Sequence, residues 1–182
     1  MEYKELIEKL KKYNKIIVSG PQRSGTTFAA SALSKTLGYK YLDETEYKND
    51  PLILNEIINK SNNLIVQGPA QCHRLQDIDG LDLIIIMKRN IEDIIKSQDR
   101  IDWTRRFEQV EVDNYRKRFG SIIDNNFYEN KTISVIKYAI FEKYQIDMIT
   151  CDAIILEYNT MQNSEYYIKK SNRTNFKSKQ TK

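Results

Sequence analysis

One stretch restricts the possible folds more than any other: Ile16-Ile17-Val18, then Ser19-Gly20-Pro21-Gln22-Arg23-Ser24-Gly25, then Thr26 to Leu37 with Gly38 behind it. The β-branched run suits a buried strand. Two glycines bracket a tight turn, and the segment after them reads as a helix closed by a glycine stop. Strand, glycine turn and helix in that order form the context in which a phosphate-binding reading is physical. Successive backbone N–H groups of such a turn point inward, and the helix N-terminus adds positive potential. Gly20 and Gly25 permit an approach that side chains would block, while Thr26 and Thr27 bring hydroxyl donors.

The remainder of the chain repeats the alternation. Leu6, Ile7 and Leu10 sit at helical spacing among charges, predicting an amphipathic helix within residues 2–13. A short strand is expected at 39–42, and Asp50-Pro51 opens a helix whose apolar side is expected to carry Leu52, Ile53, Ile57 and Ile58. Strands follow at 64–67, broken by Gly68-Pro69, and at 83–87, the most apolar run, with a helix from Ile91 to about Ser97 behind it. Helices are expected at 104–119 and at 132–144, the latter striped by Ile133, Ile136, Ile140 and Phe141, and a last strand at 153–156. Alternating strands and helices predict a doubly wound α/β fold with a central parallel sheet. With no long Gly/Ser/Pro linker, residues 1–168 are expected to form a single domain, followed by a basic tail at 169–182.

The formal charge of +4 does not mark a nucleic-acid binder, because the last fourteen residues carry it: six Lys or Arg and no acid from Lys169 to Lys182, which leaves 23 bases against 25 acids before them. Cys72 and Cys151 stand far apart in a chain whose start resembles no export signal, so a reducing, cytoplasmic setting is expected. Leu83 to Met87 is far short of the roughly 20 residues that span a bilayer. No membrane or nucleic-acid partner is expected.

Against the ATPase pattern of Gly, four residues, Gly-Lys-Ser/Thr, the loop carries Thr26 where the lysine stands. Such enzymes also need a carboxylate near a strand end to hold magnesium. Here the strong strand ends in Met87-Lys88-Arg89. A cation has moved instead to Arg23, three positions earlier, still within reach of an oxyanion on the loop. The loop therefore suits a donor handled without metal. Cys72, His73 and Cys151 lack the paired spacing of a zinc site, and no metal is expected.

These residues resemble the sulfotransferase family, whose donor loop commonly reads Pro-Arg/Lys-Ser-Gly-Thr-Thr after the first strand. Arg23-Ser24-Gly25-Thr26-Thr27 matches that order, with Gln22 in place of the usual proline and Pro21 one place earlier. A second segment extends the likeness: Arg89, Asn90 and Asp93, with Ser97 eight residues after Arg89, match an Arg-Asn-Pro-x-Asp segment, Ile91 replacing the proline. Together the matches cover roughly residues 15–100. The resemblance implies a three-layer P-loop NTPase-like sandwich and a cosubstrate, 3′-phosphoadenosine 5′-phosphosulfate. It places Gln22, Arg23, Ser24, Gly25, Thr26 and Thr27 on the donor and Arg89 and Ser97 on its 3′-phosphate. Near the end, Arg173, Phe176, Lys177 and Gln180 resemble the family's late basic segment, which makes Arg173 a further donor contact.

Sulfuryl transfer requires an in-line acceptor hydroxyl, a base for its proton and cations at the transferring group. Arg23 fits the cation role. For the base, the tyrosylprotein branch of the family uses a Glu in an acidic stretch that Asp43-Glu44-Thr45 resembles, and the cytosolic branch uses a His, here the lone His73. Glu44 and His73 are both candidates, and Arg74 is a further contact for donor or acceptor. Trp103 and Tyr115 could line an acceptor pocket, whose occupant the sequence does not name. Two other readings stand beside this one: a P-loop nucleotide or nucleoside kinase with a degenerate loop, and a non-catalytic nucleotide-binding module.

Overall fold

The computed structural model describes residues 1–72, 74–101 and 150–166. His73, Trp103, Tyr115, the two expected helices at 104–119 and 132–144, and the tail with Arg173 lie outside these residues.

Helix α1 (Tyr3–Leu10) leads into β1 (Lys15–Ser19), and the glycine turn connects β1 to α2 (Thr26–Leu37). There follow β2 (Lys40–Leu42), α3 (Pro51–Lys60), β3 (Leu64–Gln67), β4 (Leu83–Lys88) and α4 (Ile91–Asp99). Strand β5 (Asp152–Glu157) runs directly into a short helix, α5 (Tyr158–Gln162). Each element foreseen within the described residues is present within two or three residues of its expected bounds.

The strands form one sheet of order β2-β3-β1-β4-β5, and every pairing is parallel. Parallel strands require crossovers that cover both faces, which is why β1, β3 and β4 are apolar nearly throughout rather than alternating. The two-residue period decides which helix each side chain meets. Ile16, Val18, Ile65, Leu83, Ile85 and Met87 pack on the face covered by α1 and α2. Ile17, Leu64, Val66, Ile84 and Ile86 pack on the other, against Leu54 and Ile58 of α3. The result is the three-layer sandwich expected from the sequence.

Helix α3 starts as foreseen. Asp50 Oδ1 accepts from Leu52 N at 2.8 Å, and Pro51 occupies the first turn, where its missing N–H costs nothing. Its buried face matches the expected one at Ile58, with Ile57 packed partly beside it, and differs in the first turn. Leu52 is 77% exposed and Ile53 37%, whereas Leu54 and Ile58 are fully buried. The cap sets the rotational phase of the helix, and that phase turns the 54/58 pair, one turn apart, toward the sheet.

Helix α2 leaves β1 toward β2, and α4 leaves β4 toward β5. The chain thus diverges between β1 and β4, and open α/β sheets bind ligands at such a carboxyl-edge crevice. No helix among the described residues is long and apolar enough to cross a membrane.

Candidate functional site

The turn from Gly20 to Thr27 lies at this crevice, and its glycines are sterically required. Gly20 has φ +139°, and a Cβ there would stand 2.8 Å from the Met87 carbonyl oxygen. Gly25, at φ +101°, is the residue that precedes α2, and a Cβ would stand 2.7 Å from the Tyr158 ring. Because no side chain caps α2, its first backbone N–H groups keep their capacity for an anion. Ser24 is fully buried, and its Oγ has no hydrogen-bond partner among the described residues. A buried hydroxyl without a partner is costly unless something outside the chain supplies one.

Arg23 takes a left-handed backbone at φ +73°, a conformation costing a bulky residue about 1–2 kcal/mol. This carries its side chain across to α4, where Nε donates to Ser97 Oγ at 3.0 Å. From the end of β4, Arg89 Nη1 donates to the Arg23 carbonyl oxygen at 3.0 Å. Its Nε is buried without a partner among the described residues, and its guanidinium carbon lies 4.5 Å from the centroid of the Tyr158 ring. Three of the residues singled out in the sequence, Arg23, Arg89 and Ser97, therefore meet at one place.

Arg100, the residue after α4, adds a further positive charge near Arg23. The Arg23 guanidinium is pushed below its ordinary value first by partial burial, then by the positive charges of Arg100 and Arg89, with Tyr158 acting the other way. No ion pair among the described residues involves any of the three arginines. Arg23 and Arg89 beside the glycine turn, with the charge of Arg100 near Arg23 and no described carboxylate partner, form a positive cluster suited to a polyanion.

The loop hydroxyls divide. Thr26 is buried in the first turn of α2, while Thr27 is exposed beside it, as is Gln22 in part. Glu44 stands on the other side of the loop from Arg89, in the segment after β2. Its backbone N–H donates to Gln67 Oε1 at 3.4 Å, and Gln67 pairs with Val18 two residues before Gly20. Nearby, Arg74 Nε donates to Gln71 Oε1 at 2.7 Å, and Gln71 Nε2 donates to the Asn49 carbonyl at 3.1 Å. This polar group lines the β3 side of the carboxyl edge. Cys72 is buried, Cys151 is half-buried, and neither is part of a disulfide among the described residues.

Sequence reasoning missed Arg100 and Tyr158. Arg100 had a signal, since it follows Ser97 by three residues and shares its helix face. Tyr158 had none, because only the docking of β5 beside β4 brings it to the loop.

The chain matches no protein-family model and no curated protein. Among solved structures it is similar to shikimate kinase from Acinetobacter baumannii in complex with shikimate, at 13% identity over 97% of this chain and 99% of that one, with a TM-score of 0.50. It is also similar to deoxyadenosine kinase from M. mycoides with bound dCTP, at 15% identity over 87% of this chain and 99% of that one, with a TM-score of 0.42. At such identities the likeness concerns the fold alone, which is the P-loop NTPase-like α/β fold seen in P-loop kinases.

Proposed function

We propose that this chain is a nucleotide-dependent group transferase whose donor is gripped by arginines rather than by the lysine and magnesium of an ATPase loop. The meeting of Arg23 and Arg89 at the glycine turn, with the positive charge of Arg100 near Arg23, carries this reading. Donor anions would lie on backbone N–H groups of the turn and of the start of α2 other than that of Ser24, which donates to the Pro21 carbonyl at 3.0 Å, and Ser24 and Thr27 would add hydroxyls.

Two donors fit. A phosphosulfate donor is favoured by the order Arg23 to Thr27 and by the Arg89/Ser97 pair. An acceptor oxygen would attack sulfur, the bond from sulfur to the bridging phosphate oxygen would break, and adenosine 3′,5′-bisphosphate would leave. The acceptor's proton would pass to Glu44 or His73, and Arg23 would neutralise charge at the bridging oxygen. A nucleoside triphosphate donor is favoured by the fold, which is shared with shikimate kinase, and in that case the transferred group is phosphoryl. Loss of turnover with retained binding would leave a nucleotide-binding module.

Thermal unfolding separates these readings. At a ligand concentration about 100 times Kd the expected stabilisation is about 2.7 kcal/mol, or roughly 5–10 °C in Tm for a chain of this size. A shift with adenosine 3′,5′-bisphosphate in chelator supports the phosphosulfate donor. A shift with ATP plus magnesium, and none with the bisphosphate, supports the phosphoryl donor. No shift with any nucleotide removes the proposal altogether.

A further inference from the structure

We infer that Tyr158 is a positioning residue of the arginine cluster: its ring, seated on Gly25, is the platform that holds the Arg89 guanidinium against the loop. The significance of this for a ligand rests on the donor-site reading above, but the contact itself does not. Lys88 and Glu157 are register partners on the parallel strands β4 and β5, so Arg89 and Tyr158 are the next residues on each and leave the sheet side by side. The ring lies so close to Gly25 that no Cβ fits between them, and the Arg89 guanidinium carbon stands 4.5 Å from its centroid.

Among the described residues, the other restraints on Arg89 are thin. Nη1 reaches the Arg23 carbonyl, and Nε is without a partner among the described residues. The neighbouring Lys88–Glu157 pair, at 3.6 Å, is exposed on both sides and contributes little rigidity. A long arginine side chain held by one hydrogen bond samples many rotamers, and an aromatic face removes that freedom through stacking and cation–π attraction. The platform is itself fixed: Leu156 and Met161, on either side of Tyr158, are buried in the core under α1 and α2. The segment after β5 thereby reaches the loop and completes the arginine cluster from a part of the chain remote from both binding motifs.

The test uses the full chain and the variants Tyr158→Phe, Tyr158→Met and Tyr158→Leu. Nitrogen relaxation of the Arg89 Nε–H, assigned by its loss in Arg89→Lys, reads the contact without any ligand. Titration with adenosine 3′,5′-bisphosphate, and with ATP plus magnesium, reads its consequence. The Arg89 signal is expected to be rigid in the parent and in Tyr158→Phe, and mobile in the Met and Leu variants. Affinity for whichever nucleotide binds is expected to fall about 10-fold in Met and Leu, to change less than about 2-fold in Phe, and to show no further loss when Tyr158→Met is added to Arg89→Ala. A rigid Arg89 in the Met variant overturns the inference, as does a Phe variant as impaired as Met or a Met penalty that persists without Arg89. If the parent binds neither nucleotide, the donor reading fails, and the relaxation data alone decide whether the ring holds the arginine.

Discussion

Arg23→Ala should leave the unliganded chain within about 1 kcal/mol of its original stability while weakening nucleotide binding about 100-fold, some 2.7 kcal/mol. Removing the side chain forfeits the bond to Ser97 Oγ, worth about 1 kcal/mol. It also relieves repulsion from Arg89 and Arg100, which is what presses the Arg23 guanidinium below its usual value after partial burial has done so first. The terms oppose each other, so denaturant midpoints should barely move. A bound phosphate or sulfate group loses a charge-assisted partner with nothing to replace it, so the affinity loss is large. Equal losses of stability and affinity would instead make Arg23 a structural residue.

Gly20→Ala should be the most damaging small substitution in the loop, costing about 3 kcal/mol or more and lowering Tm by roughly 10 °C. At φ +139° only glycine is comfortable, and the added Cβ would press on the Met87 carbonyl, which belongs to β4 and cannot rotate away. Gly38→Ala supplies the comparison. It also lies at positive φ, +71°, but a Cβ there meets nothing within 4 Å, so its cost should stay near the backbone penalty of about 1 kcal/mol. A Gly20 variant no worse than the Gly38 variant would mean that the loop does not sit hard against β4. Chemical denaturation of both variants settles the comparison.

Much of the fold was legible because its signals are local. The runs at 16–18, 64–67 and 83–87 are apolar through successive residues, which only strands buried on both faces require, and Gly38 and Asp50-Pro51 marked helix ends by chemistry that needs no tertiary information. The grouping of Arg23, Arg89 and Ser97 was legible only through the family resemblance, because their meeting requires β4 to lie beside β1. What failed was the first turn of α3: Ile57 and Ile58 meet the core as expected, but Leu54 is buried there while Leu52 and Ile53, equally apolar, face outward. Tyr158 was illegible for a different reason. Its neighbours Gly25 and Arg89 are distant in sequence, and strand order, which composition does not encode, brings β5 beside β4. The choice of base between Glu44 and His73 stays a proposal, with Glu44 placed at the β3 side of the edge and His73 outside the described residues.

The fold is that of P-loop kinases, yet the loop carries Thr26 for the lysine, and β3 and β4 end in Gln67 and Lys88-Arg89 rather than in acids. Guanidinium groups are always charged and present forked donors, so they can take over charge neutralisation that a lysine and a metal provide elsewhere. On the proposed function, the anion that the arginines hold decides between a sulfuryl and a phosphoryl donor.

The most direct measurement is a crystal structure of the chain grown with adenosine 3′,5′-bisphosphate in chelator. One phosphate is expected on the backbone of residues 22–27 and the other within hydrogen-bonding distance of Arg89, with Ser97 released from Arg23 to join it. A nucleotide bound elsewhere, or a loop left empty while Arg23 keeps its bond to Ser97, would contradict the donor-site reading.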